Sequence, residues 1–301
     1  MKLWDKETEK EFFNYYLERD DVSLDNLFYK TSKGEYLAYW PKNYKGVKTT
    51  IQGRNAYVGN FMENWVAELI QEAIKNKKRG NEELFVVKGA VCEEIQLTEK
   101  SPADVAIATK DVSAKKRKLL APESIVMIFE VKMSIVWNWR YDPLTKELTC
   151  TGDFNTHSGN PGLLRSDSML KAIGKSINIR VSSLKASRIP IFIIGNTPIN
   201  ESYYAIVDHL KLAGVIQGFI SVNPDSGSSL KSTPQQGFVQ VENFEEFKNH
   251  ISNFIAGDKI YFSSMKSKEE IGKLIELANR EGSYEQKAER FLKDLYNIYI
   301  T

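Results

Sequence analysis

The sequence predicts an α/β fold in which helices flank a mixed central β-sheet. Five consecutive apolar residues at 125–129 are typical of a strand that is buried on both faces. Other segments repeat apolar residues every three or four positions, which indicates amphipathic helices. Strands and helices alternate through the second half of the chain, and this order favours a parallel section of sheet with right-handed crossovers.

Composition limits the classes of protein to consider. The 301 residues are 42% hydrophobic, enough for one large or two modest domains. Lys and Arg number 41 against 39 acidic residues, so any affinity for nucleic acid has to come from local patches. Only Cys92 and Cys150 occur, without Cys-X-X-Cys spacing, which argues against a disulfide scaffold and a zinc site. We find no signal peptide and no apolar run of membrane-spanning length, and expect a soluble cytoplasmic protein without a membrane partner.

The N-terminal part of the chain predicts helices at residues 5–19 and 57–75, each with an apolar stripe. The segment between them, residues 27–56, is aromatic, basic and rich in turns. It contains Gln52, Arg54 and Asn55, whose side-chain types suit base edges. A solvated β-hairpin region remains the alternative explanation for each of these residues.

Three strands are predicted next, at residues 84–91, 101–109 and 124–133. The connection before the last of them contains four basic residues, 115–118. Most such runs are solvated loops. This one would lie beside the strand ends, where a basic side chain such as Lys116 could attract phosphate.

Beyond the third strand, aromatic residues alternate at 137, 139 and 141, a pattern that is more often core than a stacking surface. A helix at 165–181 carries Lys171 and Lys175 on one side. We expect strands at 189–194 and 215–222, a loop or linker at 224–237, and helices at 201–213, 244–255, 267–280 and 284–296. His157, His209 and His250 are scattered and more typical of structural roles, although His157 lies in a Gly-rich loop that could contact phosphate.

Candidate chemistry lies at the ends of two predicted strands. Glu130 and Lys132 are two residues apart and therefore project on the same side. If the two strands pair, Asp104 lies beside them. Two carboxylates and a lysine in one place can bind a divalent metal and handle a water molecule. A Glu-X-Lys triplet alone is more often a solvated ion pair, but an acidic residue opening the preceding strand and the order of the surrounding elements favour a function.

These residues resemble the PD-(D/E)XK nuclease superfamily, to which many type II restriction endonucleases belong. The motif corresponds to Pro102, Ala103 and Asp104, and then to Glu130, Val131 and Lys132. One residue separates the proline from the aspartate, which is a common variation. The acidic helix of the superfamily corresponds to residues 59–66, with Glu63 as its carboxylate and Glu68 as the alternative. The resemblance covers roughly residues 57–222.

The resemblance implies a restriction-endonuclease-like core that binds Mg²⁺, with Mn²⁺ as a possible substitute. Its metal ligands would be Asp104, Glu130, Glu63 and the Val131 carbonyl. Lys132 would orient the attacking water or help to deprotonate it. The implied partner is double-stranded DNA, cut by a homodimer. Contacts to DNA are expected from Gln52, Arg54, Asn55, Lys116, Arg165 and Lys171.

We therefore expect three regions: an extension for DNA recognition at 1–56, a catalytic core at 57–222, and a loop with helices for dimerisation at 223–301. The expected function is Mg²⁺-dependent DNA cleavage by a type II restriction endonuclease. A repair or recombination nuclease of the same fold is an alternative, and a non-cleaving DNA-binding module is another. The intact set of Asp104, Glu130 and Lys132 argues against the last.

Overall fold

The computed structural model describes residues 1–51, 53–227, 229–255, 261 and 268–297. It confirms the α/β class with a mixed central sheet. The chain forms two compact units, Met1–Tyr261 and Phe262–Thr301. No helix among the described residues has both the length and the apolar character needed to cross a membrane.

Eight α-helices lie in the described residues: α1 (Lys6–Leu17), α2 (Leu24–Leu27), α3 (Arg54–Ala73), α4 (Ser166–Ser182), α5 (Tyr204–Leu212), α6 (Phe244–Ile255), α7 (Lys268–Ala278) and α8 (Tyr284–Asn297). The strands are β1 (Tyr29–Lys30), β2 (Tyr36–Leu37), β3 (Lys78–Arg79), β4 (Glu82–Glu83), β5 (Phe85–Ala90), β6 (Ala103–Ala108), β7 (Ile125–Val131), β8 (Asn138–Asp142), β9 (Glu147–Gly152), β10 (Ile191–Gly195), β11 (Gly218–Ser221) and β12 (Phe238–Gln240).

The central sheet has six strands in the order β12-β11-β10-β7-β6-β5. The four strands from β12 to β7 are parallel, whereas β6 is antiparallel to both of its neighbours. The structure thus confirms that the second and third predicted strands, β6 and β7, are adjacent, and that a parallel section follows them.

The register between β6 and β7 decides which side chains meet at their shared end. Val105 pairs with Phe129 and Ala106 with Ile128. Continuing this antiparallel register by one residue sets Asp104 opposite Glu130. On the other side of β7, Ile193 of β10 pairs with Glu130. Glu130 is therefore enclosed between two strands, and it is only 6% exposed.

The main core lies between the central sheet and α3, which packs against β5, β6 and β7. The apolar stripe of α3 includes Met62, Val66 and Leu69, all fully buried. Burying each such side chain contributes about 1.5–3 kcal/mol to folding, so this face fixes the position of α3 over the strands. The side chains on α3 that flank the stripe are consequently held beside the ends of β6 and β7.

A smaller antiparallel sheet has the order β1-β2-β8-β9. Its aromatic residues Trp139 and Tyr141 are buried, as the alternating pattern predicts. Helix α1 is tied to the chain before β8 by Glu9, whose carboxylate accepts hydrogen bonds from Val136 N at 2.7 Å, Trp137 N at 2.9 Å and Trp139 Nε1 at 2.9 Å. This small sheet therefore positions the segment that leaves the end of β7.

The second unit contains α7 and α8, which contact each other. The described residues of the segment predicted as a loop or linker, 224–237, form loops and turns of the first unit, and the end of the segment is held by α5. Asp208 accepts hydrogen bonds from Thr233 Oγ1 at 2.5 Å, Gly237 N at 2.8 Å and Gln235 N at 3.1 Å.

Candidate active site

The ends of β6 and β7 bring together the motif residues. Lys132 Nζ lies 2.6 Å from Glu130 Oε1 and 3.8 Å from Asp104 Oδ2. Both carboxylates thus contact the same ammonium, and all three side chains are less than one-fifth exposed. This grouping follows from the strand register and from the two-residue spacing of Glu130 and Lys132.

A main-chain hydrogen bond fixes the aspartate. Val131 N donates to Asp104 Oδ2 at 2.7 Å, so one carboxylate oxygen is anchored on the neighbouring strand. The Val131 carbonyl oxygen, which the resemblance assigns as a metal ligand, accepts from Lys132 Nζ at 3.2 Å. Both the backbone N–H and the backbone carbonyl of Val131 therefore face the cluster.

A second lysine enters the cluster from α4. Lys175 Nζ lies 2.5 Å from Glu130 Oε2 and 3.5 Å from Asp104 Oδ1, and it donates to Pro102 O at 2.6 Å. Burial alone would lower the pKa of Lys175, but the negative charges of Glu130 and Asp104 outweigh it and raise that pKa above the ordinary value. The sequence predicts only that Lys175 shares one side of its helix with Lys171. The signal for its true place was its spacing from Ala172 and Ile179, which sets a charged residue beside the buried stripe of α4.

Glu63, on α3, lies near the cluster. Its Oε2 lies 3.8 Å from Lys88 Nζ, which also donates to Asn60 Oδ1 and Asn64 Oδ1, both at 2.7 Å. Burial raises the pKa of Glu63, and the negative charge of Asp104 adds to this effect. The alternative carboxylate, Glu68, is exposed. Of the two candidate carboxylates on α3, Glu63 is therefore the one whose pKa is affected by the charges of the cluster.

The chain after β7 is held tightly, which fixes Lys132. Its backbone N donates to Ile194 O at 2.7 Å. Gly162 has a φ of +54°, and a Cβ atom there would lie 2.9 Å from Thr197 Oγ1 and 3.2 Å from Lys132 O. Only glycine permits this close approach with this backbone conformation. The loop before α4 therefore packs directly against the main chain of Lys132.

A cleft of about 730 Å³ opens beside Lys132. Its lining includes Asn55 from the start of α3, and Arg165 and Lys171 from the start of α4. The cleft also contains Tyr29 and Tyr39 from the region that precedes α3. Four residues predicted to contact DNA, Arg54 among them, thus line one cleft together with a motif lysine.

Arg54 is placed differently from the expectation that it reads a base. It is only 7% exposed, and its Nη1 donates to Leu27 O at 3.2 Å and Ala38 O at 2.5 Å. Its guanidinium also lies over the rings of Tyr29 and Tyr39, 5.2 and 5.0 Å from their centroids. The Nη1 group of Arg54 is therefore used in hydrogen bonds that stabilise the fold. The prediction for the nearby Gln52 falls outside the described residues.

An acidic residue pairs with both predicted DNA contacts at the start of α4. Asp167 lies 2.5 Å from Arg165 Nε and 3.2 Å from Lys171 Nζ. Both basic side chains are well exposed, at 61% and 76%. Exposed ion pairs of this kind are weak, so either base can exchange Asp167 for a phosphate at small cost.

Lys116 lies exposed on the loop between β6 and β7. Its neighbour Arg117 pairs with Glu93 at 2.5 Å and with Glu99 at 2.6 Å, and Lys118 Nζ donates to Lys88 O at 2.8 Å. Part of the positive charge in this basic run is therefore used within the protein.

His157 is buried, which agrees with a structural role rather than contact with phosphate. Its ring stacks on Tyr39 with centroids 3.8 Å apart, and Nε2 lies 3.4 Å from Val136 O. Burial lowers the pKa of His157 to about 4, so the imidazole is neutral near pH 7.

The donors in the cluster can be tested for their fit to a metal ion. No three His, Cys, Asp or Glu side chains of the described residues converge closely enough to cage a metal. Mg²⁺, however, needs only one or two carboxylates because it keeps several waters. The carboxylates of Asp104 and Glu130 and the Val131 carbonyl provide hard oxygen donors at the shared end of β6 and β7. This set fits Mg²⁺, or Mn²⁺ with similar preferences, with Glu63 as a more distant carboxylate.

Comparisons of the chain with protein-family models, with curated proteins and with solved structures found no match.

Proposed function

We propose that this protein is a Mg²⁺-dependent DNA endonuclease of the PD-(D/E)XK type. The observation that carries the proposal is the contact of Lys132 with both Asp104 and Glu130 at the shared end of β6 and β7. The adjoining cleft, with Asn55, Arg165 and Lys171 in its lining, supports a phosphate-rich substrate.

Asp104, Glu130 and the Val131 carbonyl would hold the metal ion, with Glu63 in support. Bound there, Mg²⁺ would polarise the scissile phosphate and make a water molecule more acidic. The Val131 N–H keeps the Asp104 carboxylate turned toward the site. Lys132, held by Glu130, would orient the attacking water and donate to the phosphate as negative charge develops on it.

The two edges of the cleft would bind different parts of DNA. Arg165 and Lys171 suit phosphates, and the backbone N–H groups at the start of α4 add donors to the same edge. Asn55, at the start of α3, lines the same cleft and is exposed, and its amide can bond to the edge of an adenine.

The finer form of the proposal is a cytoplasmic type II restriction endonuclease. Regions outside the core would then read a specific sequence. Cutting both strands of a palindrome requires two copies of the site related by a two-fold axis, so the enzyme would act as a homodimer. Light scattering on cognate DNA should give the mass of a complex that contains two protein chains. A complex with one protein chain would contradict the homodimer.

The test is incubation of the purified protein with supercoiled plasmid, with and without Mg²⁺. We expect discrete fragments that require Mg²⁺ and disappear when EDTA is added. Diffuse or structure-selective nicking would instead favour the repair or recombination nuclease. Intact plasmid, together with tight binding, would contradict the nuclease and leave a non-cleaving DNA-binding module.

A further inference from the structure

All four carboxylate oxygens of Asp104 and Glu130 face a donor within the protein. Glu130 Oε1 contacts Lys132, and Glu130 Oε2 contacts Lys175. Asp104 Oδ2 accepts from Val131 N, and Asp104 Oδ1 lies 3.5 Å from Lys175. A metal ion that binds these carboxylates therefore competes with the ammonium groups that already contact them.

Two ammonium groups contact the carboxylates, and that of Lys175 lies outside the PD-(D/E)XK motif. Lys132 belongs to the Glu-X-Lys triplet, whereas Lys175 comes from α4 and makes the shortest contact to Glu130. Its side chain is 18% exposed, so the ion pair is largely shielded from solvent. The two carboxylates and two lysines also balance formally, and a divalent cation would add two positive charges to a neutral cluster.

We propose that Lys175 is a built-in counter-ion of the metal site, which neutralises the free site and must be displaced when Mg²⁺ binds. This inference rests on the proposed nuclease function and adds a residue that regulates metal binding at the same site. Lys175 keeps the two carboxylates together when no metal is present, and it makes metal binding by the free protein weak. Loss of the Lys175 charge should therefore tighten metal binding, which is the reverse of what loss of a metal ligand would do.

The test measures metal affinity in the absence of DNA, so that it does not depend on turnover. Purified wild-type protein and variants are titrated with Mn²⁺, and free Mn²⁺ is followed by electron paramagnetic resonance. Lys175→Met should bind Mn²⁺ about tenfold more tightly or better, because a positive charge a few ångströms from the ion is removed from a poorly screened site. Lys175→Arg keeps the charge and should stay close to wild-type affinity.

Lys185→Met is the control for this measurement. It removes the same charge, but Lys185 is 49% exposed, pairs with Glu94 at 2.7 Å and lies outside the cleft lining. Its Mn²⁺ affinity without DNA should equal that of the wild type. Circular dichroism checks that each variant is folded.

Unchanged or weaker Mn²⁺ binding by folded Lys175→Met would overturn the counter-ion proposal and make Lys175 a structural ion pair between α4 and the sheet. If the wild type still cuts plasmid with Mg²⁺, only this inference fails. Absence of Mn²⁺ binding in all four proteins, together with no cleavage by the wild type, would overturn the nuclease function as well.

If Lys175→Met does not fold, wild-type protein can carry the test. The Lys175 ε-methylene resonance, assigned by its loss in Lys175→Arg, should shift when Mg²⁺ is added because the ammonium leaves Glu130. A resonance that does not move at saturating Mg²⁺ would overturn the proposal.

Discussion

At the scale of single residues, Arg54 and Asn55 are neighbours in the chain with opposite environments. The Arg54 guanidinium is buried against the carbonyls of Leu27 and Ala38, while Asn55 is exposed in the cleft. Both residue types suit base edges, so composition alone could not separate them. The two side chains have different environments because both lie on helix α3, which begins at Arg54, three residues before the predicted start.

Arg54→Ala should lower the free energy of unfolding by about 2 kcal/mol or more, because it leaves two buried carbonyl oxygens without donors. Asn55→Ala should leave stability nearly unchanged and weaken binding of the cognate site by about 1–3 kcal/mol if it contacts a base. Urea denaturation and DNA-binding titrations measure the two effects. An Arg54→Ala variant of wild-type stability would show that its buried contacts contribute little.

At the scale of elements, the site depends on how α1 and the small sheet hold the chain that leaves β7. Glu9 of α1 is fully buried and satisfies three N–H groups between residues 136 and 139. Burial raises the pKa of Glu9 to about 8, although the three donors favour the ionised form. The folded protein therefore holds a proton on Glu9 across a range of pH in which the unfolded chain has released it.

Glu9→Ala should reduce the free energy of unfolding by about 3 kcal/mol or more, since it leaves three buried donors unsatisfied. Because the folded pKa of Glu9 is raised, its contribution is most favourable below the unfolded value of 4.5 and is lost as pH rises toward about 8. Urea denaturation at pH 5 and pH 8 should show this loss in the wild type and a smaller one in Glu9→Ala. Glu11→Ala, an exposed position on α1, is the control. Equal pH dependence in all three proteins would contradict this role of Glu9.

Local patterns predicted most elements well, and they failed where tertiary contacts decide the structure. The apolar run of β7 and the stripe of α3 are properties of their own sequence, and both were found. The end of the 224–237 segment is a loop, as its composition predicts, but composition could not show that Asp208 on α5 holds it through three hydrogen bonds. Strand β12, with three residues, is too short to give a periodic signal.

At the scale of the whole molecule, the candidate site is a product of topology. Asp104 and Glu130 are separated in sequence and meet because β6 and β7 are antiparallel neighbours, which is the pairing that the predicted site requires. Lys175 reaches the same point from α4, which follows the excursion through β8 and β9. The spacing of the motif residues predicted the grouping of Asp104, Glu130 and Lys132, whereas the approach of Lys175 from α4 could not be derived from spacing alone.

The most direct test of the nuclease proposal compares Asp104→Asn and Glu130→Gln with the wild type in one experiment that measures both plasmid cleavage with Mg²⁺ and DNA affinity. These substitutions keep side-chain size and remove the negative charge that would hold the metal. Glu68→Gln, on an exposed face of α3, controls for loss of an acidic residue. Each site variant should cut at least about a thousandfold more slowly, as expected when several kcal/mol of metal-dependent stabilisation is lost, and should bind DNA as well as the wild type does. Cleavage at the wild-type rate by either variant would contradict the assignment of Asp104 and Glu130 as the metal-binding carboxylates.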